Sequence, residues 1–238
     1  MEISPDAVAV LTLGGVTLNA TLVWTWVVMA VLMVAALGAR RPLREGLAPS
    51  RWQTLLEVIV GSLRRQIAEV SQDQPDRFVA FIGTLFLFIA VSNALTVLPG
   101  YLPPTASLST TAALAICVLV AVPLFGIAER GLSGYLRNYV RPSVFMLPFN
   151  VIGEASRTIA LAIRLYGNMM SGTVIAGILI SITPFLFPVV MQVLGLLTGM
   201  IQAYIFAILA MVYIASATRQ PAGPGDGRTT HSAEKETT

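Results

Sequence analysis

Between residues 153 and 172 the chain reads GEASRTIALAIRLYGNMMSG, a membrane-like apolar run interrupted by Glu154, Arg157 and Arg164. A charge at mid-bilayer costs about 2.5–3.5 kcal/mol even on the mildest scale, so such residues pair, reach water or carry function. Helical spacing supplies part of the pairing. Glu154 and Arg157 are i, i+3 neighbours. Arg157 and Arg164 are seven apart and share nearly one face, which Asn168 and Ser171 extend. Glu154 can offset Arg157, but nothing within two turns offsets Arg164, and no other proposed span holds an acid. Arginine is effectively never deprotonated. Arg164 is therefore a fixed cation, suited to an electrostatic gate rather than to carrying protons. It must meet water or a carboxylate on another chain. Arg157 lies nearer the segment end and can instead snorkel as a structural anchor.

A second polar set follows in MQVLGLLTGMIQAYIFAILAMVYIASA, from residue 191. Its members are Gln192, Thr198, Gln202, Tyr204, Tyr213 and Ser216. A membrane-embedded glutamine wants a hydrogen-bond partner. For Gln202 the spacing offers Arg164 or Asn168, with plain interhelical glue as the plainer role. Gly195 and Gly199, like Gly167 and Ser171, are small residues four apart that admit a close helix.

The elements that must position these residues are membrane spans. Of 238 residues, 55% are hydrophobic and 11% charged, against about 25% charged in soluble domains. Apolar runs fall at about 20–38, 78–98, 108–128, 145–183 and 185–217. A span needs about 20 residues, so the last two are too long to stand upright and should tilt, kink or lie partly in the membrane plane. Pro184 and Pro188 mark the break between them. Residues 51–70 are different. Trp52, Leu55, Leu56, Ile59, Val60, Leu63 and Ile67 recur at helical spacing among charges, which predicts an amphipathic interfacial helix. A helix packed on a partner is the alternative. The expected fold is all-α and polytopic, with five spans in a single transmembrane domain over 20–217. An external segment, 1–19, precedes it, and a disordered tail rich in Pro, Gly and charge, 218–238, follows.

Cations set the orientation. Arg40, Arg41, Arg44, Arg51, Arg64, Arg65 and Arg77 fall between spans one and two. Arg130, Arg137 and Arg141 fall between three and four, and Arg219, Arg228 and Lys235 follow span five. The N-terminal segment and loop 99–106 have none. The N-terminus is therefore expected outside and the C-terminus in the cytoplasm. The net charge of +3 is a topology signal rather than a nucleic-acid footprint. Cys117, the one cysteine, reads as a small buried apolar residue. His231, the one histidine, lies in the tail, which leaves no histidine metal site. The sequence carries no Gly-rich phosphate loop with a following lysine, no cofactor signature and no internal repeat.

Four stretches in order carry a resemblance. GTLFLFIAVSNALTVLPGYLPPTASLSTTAALA (83–115), EASRTIALAIR (154–164), AIRLYGNMMSG (162–172) and IQAYIFAILAMVYIASA (201–217) resemble subunit a of F-type ATP synthases, in register from about 49 to 217. The resemblance implies a stator subunit in a bacterial plasma membrane, with its last two helices forming a hairpin against the rotating ring of c subunits. Two offset half-channels would pass H+ or Na+ to and from the ring. Stalk subunits of the b type and the rest of the synthase would be partners, and the chain would not be catalytic alone. Arg164 matches the family's essential arginine, and Asn168 and Gln202 its polar companions. Glu154 and Arg157 would shape the cytoplasmic half-channel. Ser107, Asn93 and Thr173 are weaker candidates for the outer one.

This sequence departs from the family pattern at Thr173, Gly195 and Ser107, where many members have titratable residues. Neutral oxygens suit sodium at least as well as a proton relay, and the pattern marks a divergent branch. Thr158 replaces the usual proline, which should straighten the arginine helix. Two other readings stay open: a stand-alone secondary ion transporter, whose pathway the charged stripe would be, and a structural membrane anchor.

Overall fold

A computed structural model of the chain describes residues 9–13, 16–39, 51–70, 76–98, 100–140, 146–182 and 187–218. Two short strands, β1 (Ala9–Leu13) and β2 (Val16–Asn19), pair antiparallel with Leu13 opposite Val16. The sequence between them is Gly14–Gly15, a hairpin signal between runs of branched residues. This hairpin is the one departure from the all-helical expectation. Among the described residues six α-helices follow: α1 (Ala20–Ala39), α2 (Arg51–Val70), α3 (Asp76–Ala94), α4 (Leu108–Val140), α5 (Met146–Ile182) and α6 (Phe187–Thr218).

Five of them, all but α2, are long and apolar enough to cross a membrane. Their apolar stretches are Ala20–Gly38, Arg77–Val97, Leu108–Glu129, Pro148–Leu179 and Val189–Thr218. At 1.5 Å per residue, the last two run about 45–48 Å against a hydrocarbon core of about 30 Å. Neither can stand upright. Pro188 falls in the first turn of α6, where a missing N–H costs nothing. Pro184 and the tail from 219 lie outside the described residues.

α6 is the helix around which the others gather, since it packs on α2, α3, α4 and α5. Its inner face, Ala203, Phe206, Ala207, Ala210, Met211 and Ile214, is fully buried. Three of those six are alanines, which let neighbouring backbones approach, the driving contact between helices in lipid. Ile82 and Ile89 of α3, Ala115 and Val118 of α4, and Leu161 and Leu165 of α5 complete the core.

α2 matches its expected bounds, and it also packs on the bundle. Leu63 and Ile67 are buried in the core beside Phe78 and Ile82, while Val58 and Val60 on the same helix stay exposed. The basic segment after residue 128, between the expected third and fourth spans, is helical. α4 continues to Val140 through a break at Gly131, whose φ of 71° only glycine adopts cheaply. Cys117 is exposed rather than buried, because α4 turns it outward beside Ile116 and Val120.

The α3–α4 connection folds back into the protein. Gly100, with φ of 85°, makes the reversal. A single 3-10 turn at Pro104–Ala106 is then wholly buried. There the side-chain amide of Asn93 donates to the Gly199 carbonyl at 2.7 Å, and Thr105 Oγ1 donates to Asn93 Oδ1 at 3.0 Å. Gly199 is required by contact: a Cβ there would lie 3.0 Å from Asn93 Nδ2 and 3.1 Å from Asn93 Cβ and Cγ. Gly199→Ala should therefore destabilise the fold by about 1–3 kcal/mol, the usual cost of overpacking. Thermal melts of the detergent-solubilised protein check this, and an unchanged midpoint refutes the close contact.

Candidate functional site

Arg164 lies midway between Pro148 and Leu179, the ends of the α5 apolar stretch. The rotation that buries Leu161 and Leu165 turns Arg164 outward with Ile163 and Gly167. Among the described residues no hydrogen bond or ion pair falls on it. A fixed cation thus sits at mid-span on the outer face of the α5–α6 hairpin.

The expected Gln202 partnership takes a different form. Gln202 is 6% exposed and faces the core, because the turn that buries Ala203 and Phe206 carries it inward. Its Nε2 is buried and has no partner among the described residues. Asn168 instead donates from Nδ2 to the Thr198 carbonyl at 3.3 Å, tying α5 to α6 one turn from Arg164. Arg164 is exposed while Gln202 is buried, and no hydrogen bond joins the two.

Among the described residues, two larger cavities lie toward opposite ends of α5, and Arg164 lines neither. One, of about 240 Å³, is bounded by Phe149, Asn150, Gly153, Glu154, Arg157, Ser216 and Ala217. Glu154 and Arg157 therefore meet in one space, as their spacing predicts. The Arg157 guanidinium sits 5.7 Å from the centroid of the Tyr213 ring, a cation–π partner that spacing on α5 alone does not reveal. Thr158 donates to the Glu154 carbonyl at 3.0 Å. A proline there would clash with that carbonyl, and α5 runs unbroken through the position.

The other cavity, about 230 Å³, is lined by Asn168, Thr173, Gln192, Gly195, Thr198, Thr96 and Tyr101 among others. It opens where the α3–α4 connection meets the far ends of α5 and α6. Gln192 reaches across to donate to the Thr96 carbonyl at 2.6 Å. Of the three weaker outer candidates, only Thr173 lines this space. Asn93 and Ser107 are 1% and 0% exposed and belong to the polar knot behind it. Ser107 contacts Ser109 at 2.7 Å, and its carbonyl accepts from Thr111. Thr96, Tyr101, Gln192 and Thr198 were not sequence candidates. Gln192 and Thr198 show as polar residues on an apolar helix, but nothing local aims them at a loop some 90 residues earlier in the chain. Burial pushes the Tyr101 phenol up to about 12, partly offset by its contact with Ser92. Tyr101 is thus neutral at physiological pH, and no described residue lining this cavity is charged.

The fold and site define a polytopic helical membrane protein with a mid-span cation on an exposed face of α5 and a cavity on either side of it. The comparisons give the family. Residues 22–215 match the family described as "ATP synthase A chain". The chain is 60% identical to "ATP synthase subunit a" of Albidiferax ferrireducens, over 92% of this chain and 95% of that one. It is 58% identical to "ATP synthase subunit a 1" of Chlorobium luteolum, over 92% and 98%, and 53% identical to "ATP synthase subunit a 2" of Picosynechococcus sp., over 91% and 93%. The chain belongs to the ATP synthase A chain family and is a multi-pass membrane protein.

Gly153 and Gly172 each line one cavity and have open space around a would-be Cβ. Single cysteines at these positions, in a Cys117→Ser background, should react with a membrane-impermeant thiol reagent from opposite sides of the membrane. Labelling of both from one side, or of neither, would show that the cavities are not two separate entrances.

Proposed function

We propose that the chain is the ion-translocating stator subunit a of a rotary ATP synthase, passing H+ or Na+ to and from a ring of c subunits. Arg164 carries this reading. A fixed mid-span cation on an outward face, with no partner among the described residues of its own chain, calls for a carboxylate on another chain. A passing ring of carboxylates meets that need repeatedly. Each carboxylate pairing with Arg164 would release its bound ion, because an opposite charge nearby favours the ionised form. The same cation repels any ion attempting to cross directly between the cavities. The cavity at Glu154 and Arg157 would be the cytoplasmic half-channel, and the one at Thr173 and Gln192 the outer half-channel.

In this reading Asn168 holds α5 to α6 beside the gate, while Gln202 supports it from inside the hairpin. Asn93 and Ser107 act through the loop behind the outer cavity rather than on the ion. The cation distribution supports an N-terminus outside and a C-terminus in the cytoplasm, and the family supports a bacterial plasma membrane as the location. The exposed apolar face of α1, with Trp26, Met29, Met33 and Val34, is left to lipid or to a stalk subunit of the b type. The neutral lining of the outer cavity and the departures at Thr173, Gly195 and Ser107 keep sodium beside the proton as the ion.

Reconstituted in liposomes, the complex carrying Arg164→Ala should lose ATP-driven ion uptake to background while its soluble head still hydrolyses ATP. Parallel proton and radioactive sodium readouts on the wild type identify the ion. Normal uptake by Arg164→Ala would refute the gate.

A further inference from the structure

Helix α4 outruns its own apolar stretch. That stretch ends at Glu129, and the helix continues to Val140 past the break at Gly131. With φ 71° and ψ 162°, Gly131 redirects the chain just where the span ends. Residues 132–140, LSGYLRNYV, then form a short helix of their own. In helical register Leu132, Tyr135, Leu136, Tyr139 and Val140 fall within one arc of about 140°. Ser133, Gly134, Arg137 and Asn138 take the remainder. The segment is amphipathic, and its apolar arc needs a cover.

The bundle covers the corresponding face of α2, where Leu63 and Ile67 are buried. It leaves the α4 extension open at Leu132, which is 60% exposed, as are its neighbours Ser133 and Gly134 to similar effect. Because α3 and α4 cross and return, the extension starts at the membrane surface on the side of α2. The headgroup region at that level accommodates both faces. Leucine enters the upper acyl chains, tyrosine sits among the headgroups, and the polar face meets water.

Charge names the kind of lipid. Arg130, Arg137 and Arg141 fall in this stretch, and no acidic residue occurs between Glu129 and Glu154. On α2, by contrast, Glu57 and Glu69 accompany the arginines. A guanidinium matches the oxygens of a phosphate, and a run of cations without acids selects an anionic headgroup over a zwitterionic one.

We propose that residues 132–140 lie in the membrane surface and bind an anionic phospholipid, with Arg137 supplying the charge and the arc of Leu132 and Leu136 accepting its acyl chains. The proposal stands apart from ion transport: it needs only the span, the break and the arginines.

The test uses the whole complex carrying Ser133→Cys in a Cys117→Ser background, labelled with a fluorophore. Ser133 is exposed and one turn from Arg137. The complex is reconstituted in phosphatidylcholine vesicles, and quenching by headgroup-spin-labelled phosphatidylglycerol is compared with quenching by the same label on phosphatidylcholine. Phosphatidylglycerol should quench at a lower mole fraction. Arg137→Gln should cut that preference roughly fivefold, the scale of one surface cation. Arg137→Lys should retain most of it, and raised salt should weaken it. Equal quenching by the two lipids, or a preference unchanged in Arg137→Gln, overturns the lipid site. Quenching by neither shows that the helix stands clear of the membrane or lies against another subunit, and overturns it too.

Discussion

The side-chain amide of Asn93 is bonded at both ends: its nitrogen to the Gly199 carbonyl and its oxygen to the Thr105 hydroxyl. In a buried site each of those polar groups would otherwise cost roughly 1–3 kcal/mol unsatisfied. The bonds tie α3, the inward-folded connection and α6 at one point. They fix the height of α6 against α3, and with it the positions of Gln192, Thr198 and Gln202. Gly199 makes the approach possible because any side chain there would occupy the space of Asn93. The outer cavity exists because this knot holds the connection under the ends of α5 and α6. Trp24 of α1 closes on the same region, edge-on to Tyr101 at 4.8 Å.

The two arginines of α5 show two solutions to one cost. Arg157 lies over the Tyr213 ring and opens on a polar cavity shared with Glu154 and Ser216. Its charge is met within the chain. Arg164, two turns further on, is directed to the outer face, where this chain offers it no partner among the described residues. Helix periodicity makes the contrast: the apolar residues that bury, Leu161 and Leu165, decide which way Arg164 turns. The cavities lie on either side of it and do not include it. That separation is what the proposed electrostatic barrier would require.

Much of this was legible in the residues themselves. Five spans, the amphipathic helix at 51–70 and the lone charge of Arg164 follow from hydropathy, period and charge. These are local properties that lipid enforces strictly, since every backbone group must be satisfied within its own helix. The proximity of Glu154 and Arg157 was legible for the same reason, because they lie one turn apart. The β1–β2 hairpin was missed although Gly14–Gly15 sits between branched residues, because the apolar run that follows dominated the reading. The helix beyond residue 128 was not legible because its basic residues end the apolar run that marks the third span.

The sequence by itself determined the class of protein, the number of spans and the mid-span place of Arg164. Only the tertiary structure decided which polar residues share a cavity. Asn93 and Ser107 went into a buried knot, Gln202 turned inward, and Gln192, Thr198, Thr96 and Tyr101 came to surround Thr173. The reason is physical: period fixes which face a residue occupies. Which faces meet depends on helix rotation and height, and those are set by contacts such as Asn93 with Gly199, 106 residues apart in the chain.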